Sequence, residues 1–394
     1  ALLHRDAVDR VARLMAVTDF RSPVRLLEGV KVLDLSILGP GAVAGFLVDL
    51  GADVTKIESP AGDYVRQMTW PIINTRDEGP LSLMHLHLNR GKTFLTLDLK
   101  TDEGKDAFAD LVAGADVVIE GMRPGFLDKI GFGFDRLKEL NSKIVVCSIS
   151  GYGATGPYRN LPSHGVAYDT WSGSVKPEID ELGFCTTPDF PNIGITAGPA
   201  FAALAICAAL VRARSTGQPA CFEIAQSDAS AYFDWYRIES ERAYTRPQSE
   251  VTGNPSDNFE RRPAGLKGMR EGVRYQLYES ADGHVLFMAS EQAFWKNFCE
   301  GIGRMDLFDR WPGSKYADHA RGNRELQGEL RDIFRSRSSA QWLEFANTHN
   351  TTIAPVNTPA TLPDDPQFQA RMTWVGRDTL DCDQLAFPLH LQGE

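Results

Sequence analysis

The chain has 394 residues, with 41 Lys and Arg against 52 Asp and Glu, so its formal net charge is −11. Hydrophobic residues make up 43% and charged residues 24% of the sequence, which excludes a disordered chain, a collagen and a coiled-coil rod. The acidic balance also argues against a nucleic-acid binder, because such proteins neutralise phosphates with basic residues. The length predicts two or three domains.

The first 28 residues predict a helical extension, and strands and helices alternate from residue 29 onwards. A long polar loop is expected over 59–91. Continuous apolar runs predict strands at 30–36, 53–58, 92–99, 115–121, 143–150 and 221–226. Helices between such strands cover both faces of a parallel sheet. The predicted fold class is therefore α/β, with a Rossmann-like large domain over 29–225.

The composition changes beyond residue 225. Residues 245–272 are rich in Pro, Gly, Arg and Asn and predict a loop, and a hairpin with an Asp-Gly turn follows over 273–290. Helices are expected at 291–303, 322–336 and 338–348. These elements predict a linker and a smaller α+β domain over 226–335, followed by a return of 336–394 to the large domain.

Six cysteines are scattered without a CxxC pair. This spacing predicts neither a zinc site nor a disulfide framework, and it favours a reducing cytoplasm. The longest apolar run, 199–211, is shorter than the roughly 20 residues that span a bilayer, and the N-terminus lacks the pattern of a secretory signal. We therefore expect a cytoplasmic protein with no metal, no membrane and no nucleic-acid partner.

The sequence GYGATG at 151–156 follows a predicted strand and matches the GxGxxG pattern of dinucleotide sites. Such a site needs a helix that opens directly after the turn, with its N-terminus facing the pyrophosphate. Pro157 follows at once and Pro162 comes five residues later, so no helix is expected there. A glycine-rich turn is the favoured interpretation.

Basic and titratable side chains near strand ends are candidates for a site, because ligands bind beyond the carboxyl edge of a parallel sheet. The basic residues are Lys56, Arg90, Lys92, Arg123 and Lys129, for which a solvated rim is the alternative. His164 follows the strand at 143–150, and imidazoles exchange protons near neutral pH, so it is a candidate acid or base. An ordinary loop histidine is the alternative. Asp189 and Glu291 are carboxylates in a loop and at a helix start.

Several segments in order resemble the class III CoA-transferases of the CaiB/BaiF type, which include formyl-CoA transferase and α-methylacyl-CoA racemase. They are LLEGVKVLDLS (26–36), GPGAVAGFLVDLGADVTKIESPAGD (39–63), ADVVIEGMRPGF (115–126) and SISGYGATGPYRNLPSH (148–164). The resemblance implies a Rossmann-like large domain, a smaller domain and two interlocked chains. It also implies acyl-CoA and an organic acid as substrates, with coenzyme A carried between them.

The resemblance assigns CoA-binding roles to particular residues. The nucleotide is expected along Ser36, Ile37 and Leu38, and at Met122, Arg123 and Lys129, with Lys92 a weaker candidate. Cations suit the phosphates of this nucleotide because they form charge-assisted hydrogen bonds with them.

The resemblance also implies a nucleophilic Asp just before the helix AFAALAICAALVRARSTG, and this Asp is missing. Aligning the helix places it at Ile195, and aligning the stretch ITAG places it at Gly194; neither residue can be a nucleophile. One hypothesis is a CoA-transferase in which Glu291 or Asp189 replaces the Asp, with His164 as acid or base. The alternatives are a racemase-like enzyme that uses His164, and a catalytically silent CoA-binding subunit. The partner would be a second copy or a paralogous chain.

Overall fold

The computed structural model describes residues 15–16, 20–255, 258–315 and 318–392. These residues form two compact units. The larger unit comprises the described residues up to Asp234 and those from Met372 onwards, and the smaller unit comprises Trp235–Arg371. The predicted helical extension over 1–28 lies mostly outside the described residues, and Met15–Ala16 within it is a β strand.

The larger unit begins with β1 (Met15–Ala16), β2 (Lys31–Asp34), α1 (Ala42–Asp49), β3 (Asp53–Glu58), α2 (Val65–Met68), β4 (Ile72–Thr75), β5 (Gly79–Ser82), α3 (Leu83–Asn89), β6 (Thr93–Thr96), α4 (Asp102–Ala113) and β7 (Val117–Glu120). It continues with α5 (Phe126–Lys129), α6 (Phe134–Leu140), β8 (Val145–Ser150), α7 (Val166–Trp171), β9 (Glu178–Ile179), β10 (Cys185–Thr186), α8 (Gly194–Thr216), β11 (Ala220–Ala225) and α9 (Gln226–Phe233).

A seven-stranded sheet organises this unit in the order β1-β6-β3-β2-β7-β8-β11. Six strands are parallel, and β1 runs antiparallel to β6 at one edge. Side chains alternate between the two faces, so Val32 packs with α1 and α8 on one face while Leu33 packs with α4 and α6 on the other. Both faces are covered, which explains the continuous apolar strands and confirms the predicted α/β class.

Residues 59–91 are not the single polar loop that their composition predicts. They contain α2, the β4–β5 hairpin and α3. Ser82 begins α3 because its side chain accepts a hydrogen bond from the N–H of His85 and donates one to the carbonyl of Val65. By contrast, residues 151–160 form bends and turns without a helix, as the prolines predict.

Helix α8 has the length and composition of a membrane span, with a mean hydropathy of 2.0 in its most apolar window. It is the one such helix among the described residues, and half of that window is buried inside the protein. Ala202, Ile206 and Leu210 pack against the sheet, as in a core helix of a globular protein. The predicted absence of a membrane partner stays a prediction.

The smaller unit contains α10 (Trp235–Ala243), α11 (Leu266–Met269), β12 (Gln276–Glu279), β13 (His284–Phe287), α12 (Gln292–Gly301), α13 (Met305–Arg310), α14 (Arg324–Phe334), α15 (Ser339–His349), β14 (Ile353–Pro355) and α16 (Pro366–Arg371). An antiparallel sheet in the order β12-β13-β14 packs with helices around Phe287, Trp295 and Trp342. The sequence predicts a return to the large domain from residue 336. However, β14 still pairs with β13 of the smaller unit, and the chain leaves that unit only after Arg371.

The last described residues return to the larger unit as β15 (Trp374–Val375), α17 (Arg377–Leu380) and β16 (Gln384–Leu385). Buried Arg90 anchors this return, because its guanidinium lies 2.6 Å from Asp49 and donates to the carbonyl of Leu385 at 2.8 Å. Arg90 therefore supports the fold, and the solvated rim offered as its alternative is wrong, because its side chain is buried.

Candidate functional site

A cleft of about 1160 Å³ lies at the carboxyl ends of β2, β7 and β8, where parallel sheets bind ligands. It is lined by residues 37–40, 68–70, 121–124, 149–152 and 159–166, and by Tyr64, Met84, Tyr168, Asn192, Ile195 and Gln226. Two arginines, Arg123 and Arg159, are among these described lining residues, whereas no Lys, Asp or Glu is. The cleft is therefore mainly apolar, with positive charge on two of its loops.

A buried ion pair lies beneath the loop that follows β2. Lys92 Nζ lies 2.8 Å from Asp34 Oδ2 and donates to the carbonyl of Gly41 at 2.8 Å. Burial lowers the pKa of Lys92 to about 8, although the charge of Asp34 opposes that shift. Burial by itself would raise the pKa of Asp34, but the charges of Lys92 and Lys56 outweigh it and hold this pKa below its usual value.

A second buried lysine fixes the other end of the same loop. Lys56 Nζ donates to the carbonyl of Ser36 at 2.5 Å and lies 3.3 Å from Asp63 Oδ2. Leu38 has a φ of 54°, in the left-handed region that residues other than glycine rarely adopt. The two lysines therefore hold residues 36–41 in an uncommon conformation against one wall of the cleft. Lys56 also supports the fold: it is fully buried, so the solvated rim is wrong for it too, and it is not among the lining residues of the cleft.

Four predicted CoA-binding residues lie on the cleft wall, namely Ile37, Leu38, Met122 and Arg123. Ser36 lies beneath the wall, fully buried, with its hydroxyl donating to Asp34. Lys92 is buried in the ion pair described above, so it supports the loop from below. Lys129 is exposed at the end of α5 and is not among the lining residues. The CoA-binding roles of all seven stay predictions.

The predicted catalytic residues lie in different places. His164 is exposed on the cleft wall, two residues before α7, and its carbonyl accepts a hydrogen bond from the N–H of Ala167. Asp189 is exposed in the loop between β10 and α8 and is not among the lining residues. Glu291 belongs to the smaller unit, where it is exposed and immediately precedes α12. The larger unit therefore brings His164, but not Asp189, to the cleft.

The first turn of α8 forms part of the cleft wall. Fully buried Asp169 accepts hydrogen bonds from the N–H of Gly194 at 2.9 Å and from the Ser230 hydroxyl at 2.8 Å. A carboxylate suits this place because the first N–H groups of a helix have no intrahelical acceptor. A methyl group on Gly194 would lie 2.7 Å from Tyr168 Cβ, whereas Ile195 lines the cleft. Position 195 is thus the one that directs a side chain into the cleft.

Sequence reasoning missed Gln226, which begins α9 directly after β11 and lines the cleft although it is only 2% exposed. A polar residue at the junction of a buried strand and a helix is the signal that could have found it, because this junction lies at the ligand edge of a parallel sheet. Among the described residues, no three His, Cys, Asp or Glu side chains form a metal-binding group. The absence of a metal stays a prediction.

Buried His85 in α3 makes the fold sensitive to acid. Burial lowers its pKa from 6.5 to about 3, and the charge of Arg66 adds to this shift. The unfolded chain therefore binds a proton that the folded chain does not, so stability falls as the pH drops from 6.5 towards 3, by up to about 1.4 kcal/mol per pH unit. We expect His85→Gln to flatten the pH dependence of urea unfolding between pH 6 and 4. His390→Gln, at an exposed site, should leave it unchanged; equal curves for His85→Gln and the parent would contradict the prediction.

The chain is an α/β protein with a large cleft at the carboxyl edge of a parallel sheet, the place at which proteins of this architecture bind ligands. The chain belongs to CoA-transferase family III, because the sequence model of that family matches residues 27–394. Relatives of this chain are named as CoA-transferases that act on carboxylic acids, so it is an enzyme of that family.

Three similar proteins illustrate the match. Succinate–glutarate CoA-transferase of Agrobacterium fabrum is 30% identical over 375 residues, which cover 90% of this chain and 86% of the relative. The BbsE subunit of succinyl-CoA:(R)-benzylsuccinate CoA-transferase from Thauera aromatica is 29% identical over 367 residues, 90% of this chain and 84% of that subunit. A crystal structure of a CAIB/BAIF family protein from Brucella suis superposes with a TM-score of 0.72 at 26% identity, covering 95% and 93% of the two chains.

Proposed function

We propose that the cleft binds a CoA thioester and that the chain takes part in the transfer of CoA between two carboxylic acids. The observation that carries this proposal is the cleft itself, which is large, mainly apolar and positively charged on two loops, in a chain of CoA-transferase family III. Such a place suits a CoA thioester, because its pantetheine arm and thioester group are uncharged whereas its nucleotide carries phosphates.

The nucleotide end of the thioester is assigned to the loops that follow β7 and β8. Met122 and Arg123 lie in the first of these loops, and Arg159 lies in the second. Arginine suits phosphates because its planar guanidinium donates two parallel hydrogen bonds to their oxygens. Lys129, exposed farther along the chain, is proposed to add long-range attraction.

Arg123→Gln is expected to weaken CoA binding about five- to tenfold, because a charge-assisted hydrogen bond contributes more than a neutral one. The difference in affinity between the parent and the variant should shrink as salt is raised, because salt screens the attraction between Arg123 and the phosphates in the parent. Isothermal titration with CoA at two salt concentrations measures both effects. Arg136→Gln removes an arginine exposed on α6, where it pairs with Glu139, and is the matched control. Equal losses in the two variants would mean that Arg123 does not meet the phosphates.

The acyl end is assigned to the wall formed by Ile195, Gly39 and Gln226, which approach one another closely. Transfer through a covalent intermediate needs a carboxylate that attacks the thioester carbonyl and releases the CoA thiolate. No described residue that lines the cleft carries one. We propose that the carboxylate comes from Asp189, from Glu291 or from another chain, with His164 as an acid or base beside it.

A second candidate function is that of a CoA-binding subunit whose partner chain carries the nucleophile. The lack of a carboxylate among the described lining residues favours it, and one relative is itself named as a subunit of a CoA-transferase. Such a chain would bind CoA tightly yet transfer none. The proposed assembly is then a heterodimer, whereas an active chain would form a homodimer.

One experiment separates these functions. The purified chain is mixed with succinyl-CoA and a panel of acids in heavy water, and every thioester is followed by mass spectrometry. Exchange of CoA onto an acid supports transfer by this chain alone. Binding without exchange, with turnover restored by co-expression with an Asp-bearing paralogue, supports the subunit. Deuterium at the α-carbon without exchange would instead indicate racemase-like chemistry at His164, and no binding of any thioester would contradict the whole proposal.

A further inference from the structure

Gln226 places an unpaired acceptor at the acyl end of the cleft. Its side chain is 2% exposed, and its Oε1 atom has no hydrogen-bond partner among the described residues. A methyl group on Gly39 would lie 3.9 Å from this oxygen and 3.6 Å from Ile195 Cβ, so the oxygen lies at the part of the cleft wall that Gly39 and Ile195 form. A buried acceptor without a donor is unfavourable, and native proteins rarely retain one without a reason.

The packing around Gln226 shows that its position is fixed. A methyl group on Gly198, one turn into α8, would lie 2.9 Å from Gln226 Cγ, so the glycine leaves room for this side chain. The N–H of Ser227, the next residue, donates to the carbonyl of Gly151 at 3.0 Å, which ties the start of α9 to the loop after β8. The amide is thus held at the cleft between two helix starts, α8 and α9.

We infer that Gln226 selects acyl groups that carry a hydrogen-bond donor, such as a hydroxyl on the acyl chain. This inference rests on the proposed function, because it takes the bound ligand to be a CoA thioester. The donor would complete the bonding of Gln226 Oε1, whereas a plain aliphatic acyl group would leave that oxygen buried and unpaired. Sites that form a hydrogen bond with a substrate hydroxyl discriminate strongly against the analogue that lacks it, because the analogue leaves a buried polar group of the protein unpaired. The amide N–H of the pantetheine arm is the other possible source of a donor.

The experiment compares the affinities of butyryl-CoA, 2-hydroxybutyryl-CoA, 3-hydroxybutyryl-CoA and free CoA by isothermal titration. Binding at equilibrium needs no turnover, so the missing nucleophile does not affect the result. We expect one hydroxybutyryl-CoA to bind at least about tenfold more tightly than butyryl-CoA. Gln226→Met keeps the length of the side chain but removes the acceptor, and it should reduce this ratio to about one. Free CoA should bind equally to both proteins.

Two controls keep the result interpretable. Gln218→Met makes the same substitution at an exposed glutamine that does not line the cleft, and it should leave the ratio unchanged. The thermal midpoint of Gln226→Met should equal or exceed that of the parent, because the variant removes an unpaired polar group from a buried place. A large drop in the midpoint would mean that Gln226 serves the fold, and it would overturn the inference.

The remaining outcomes distinguish this inference from the proposed function. Equal binding of butyryl-CoA and both hydroxybutyryl-CoA compounds by the parent would overturn the inference but leave CoA binding intact. An equal loss for all four ligands in Gln226→Met would assign the amide to the pantetheine arm and also overturn it. If the parent binds neither CoA nor any thioester, the proposed function fails, and the inference fails with it.

Discussion

Ile195→Asp is expected to give the chain CoA transfer that is at least about a hundredfold faster than that of the parent chain, because it supplies a nucleophile to the cleft. The new carboxylate would attack the thioester carbonyl and expel the CoA thiolate, which leaves a mixed anhydride. The thiolate would then attack the carbonyl of the introduced aspartyl group, release the acid and leave an aspartyl-CoA thioester. Exchange of CoA between succinate and glutarate measures the gain, and trapping with hydroxylamine identifies the acylated residue.

Gly194→Asp is the matched control, since it adds the same carboxylate one residue earlier. Its Cβ atom would lie 2.7 Å from Tyr168 Cβ, so we expect lower stability and no gain in activity. Ile195→Asn is a second control that has the same shape without the charge. Equal activity of Ile195→Asn and Ile195→Asp, or a parent chain that is already as active, would contradict the assignment of position 195.

Lys92→Met is expected to lower the free energy of unfolding by about 3–5 kcal/mol, because it leaves the carboxylate of Asp34 buried without its partner. The carbonyl of Gly41 also loses its donor, so the loop should lose its conformation and CoA affinity should fall. Urea unfolding measures the first effect, and titration with CoA measures the second.

The double variant Asp34→Asn/Lys92→Met tests the cause of that loss. No uncompensated charge remains in it, and the introduced amide oxygen could still accept the hydrogen bond that Ser36 N–H donates to Asp34, so part of the stability should return. Lys138→Met breaks a solvent-exposed pair with Asp135 and should cost less than about 1 kcal/mol. A double variant less stable than Lys92→Met would show that the ion pair is not the origin of the effect.

The central sheet was predictable because its sequence signal is local and strong. Strands such as β7, with Val117–Glu120 wholly buried, appear in the sequence as nearly continuous apolar runs, which are typical of a sheet covered on both faces. The short elements between residues 59 and 91 were not predictable in the same way. Their formation depends on contacts such as the hydrogen bond from Ser82 to the carbonyl of Val65, which joins residues 17 positions apart.

The candidate site was predictable only in part, because sequence shows which residues are charged but not what they pair with. Arg123 lies on the cleft wall, as the resemblance implies. Lys56 has the same charge, but it forms a buried ion pair with Asp63 and is not on that wall. Choosing between Gly194 and Ile195 likewise needs the direction of each side chain in the first turn of α8. That direction depends on Asp169, which is distant in sequence.

The anchoring of the C-terminal return by Arg90 has a consequence for folding during synthesis on the ribosome. Arg90 binds the carbonyl of Leu385 across 295 residues of sequence, and the smaller unit is made in between. Contacts of such sequence separation form late, because the chain that joins them must first be synthesised and closed into a loop. The larger unit, whose sequence begins first, can therefore be completed only after the smaller unit has emerged. A nascent chain stalled before residue 372 would hold Arg90 without its last partner.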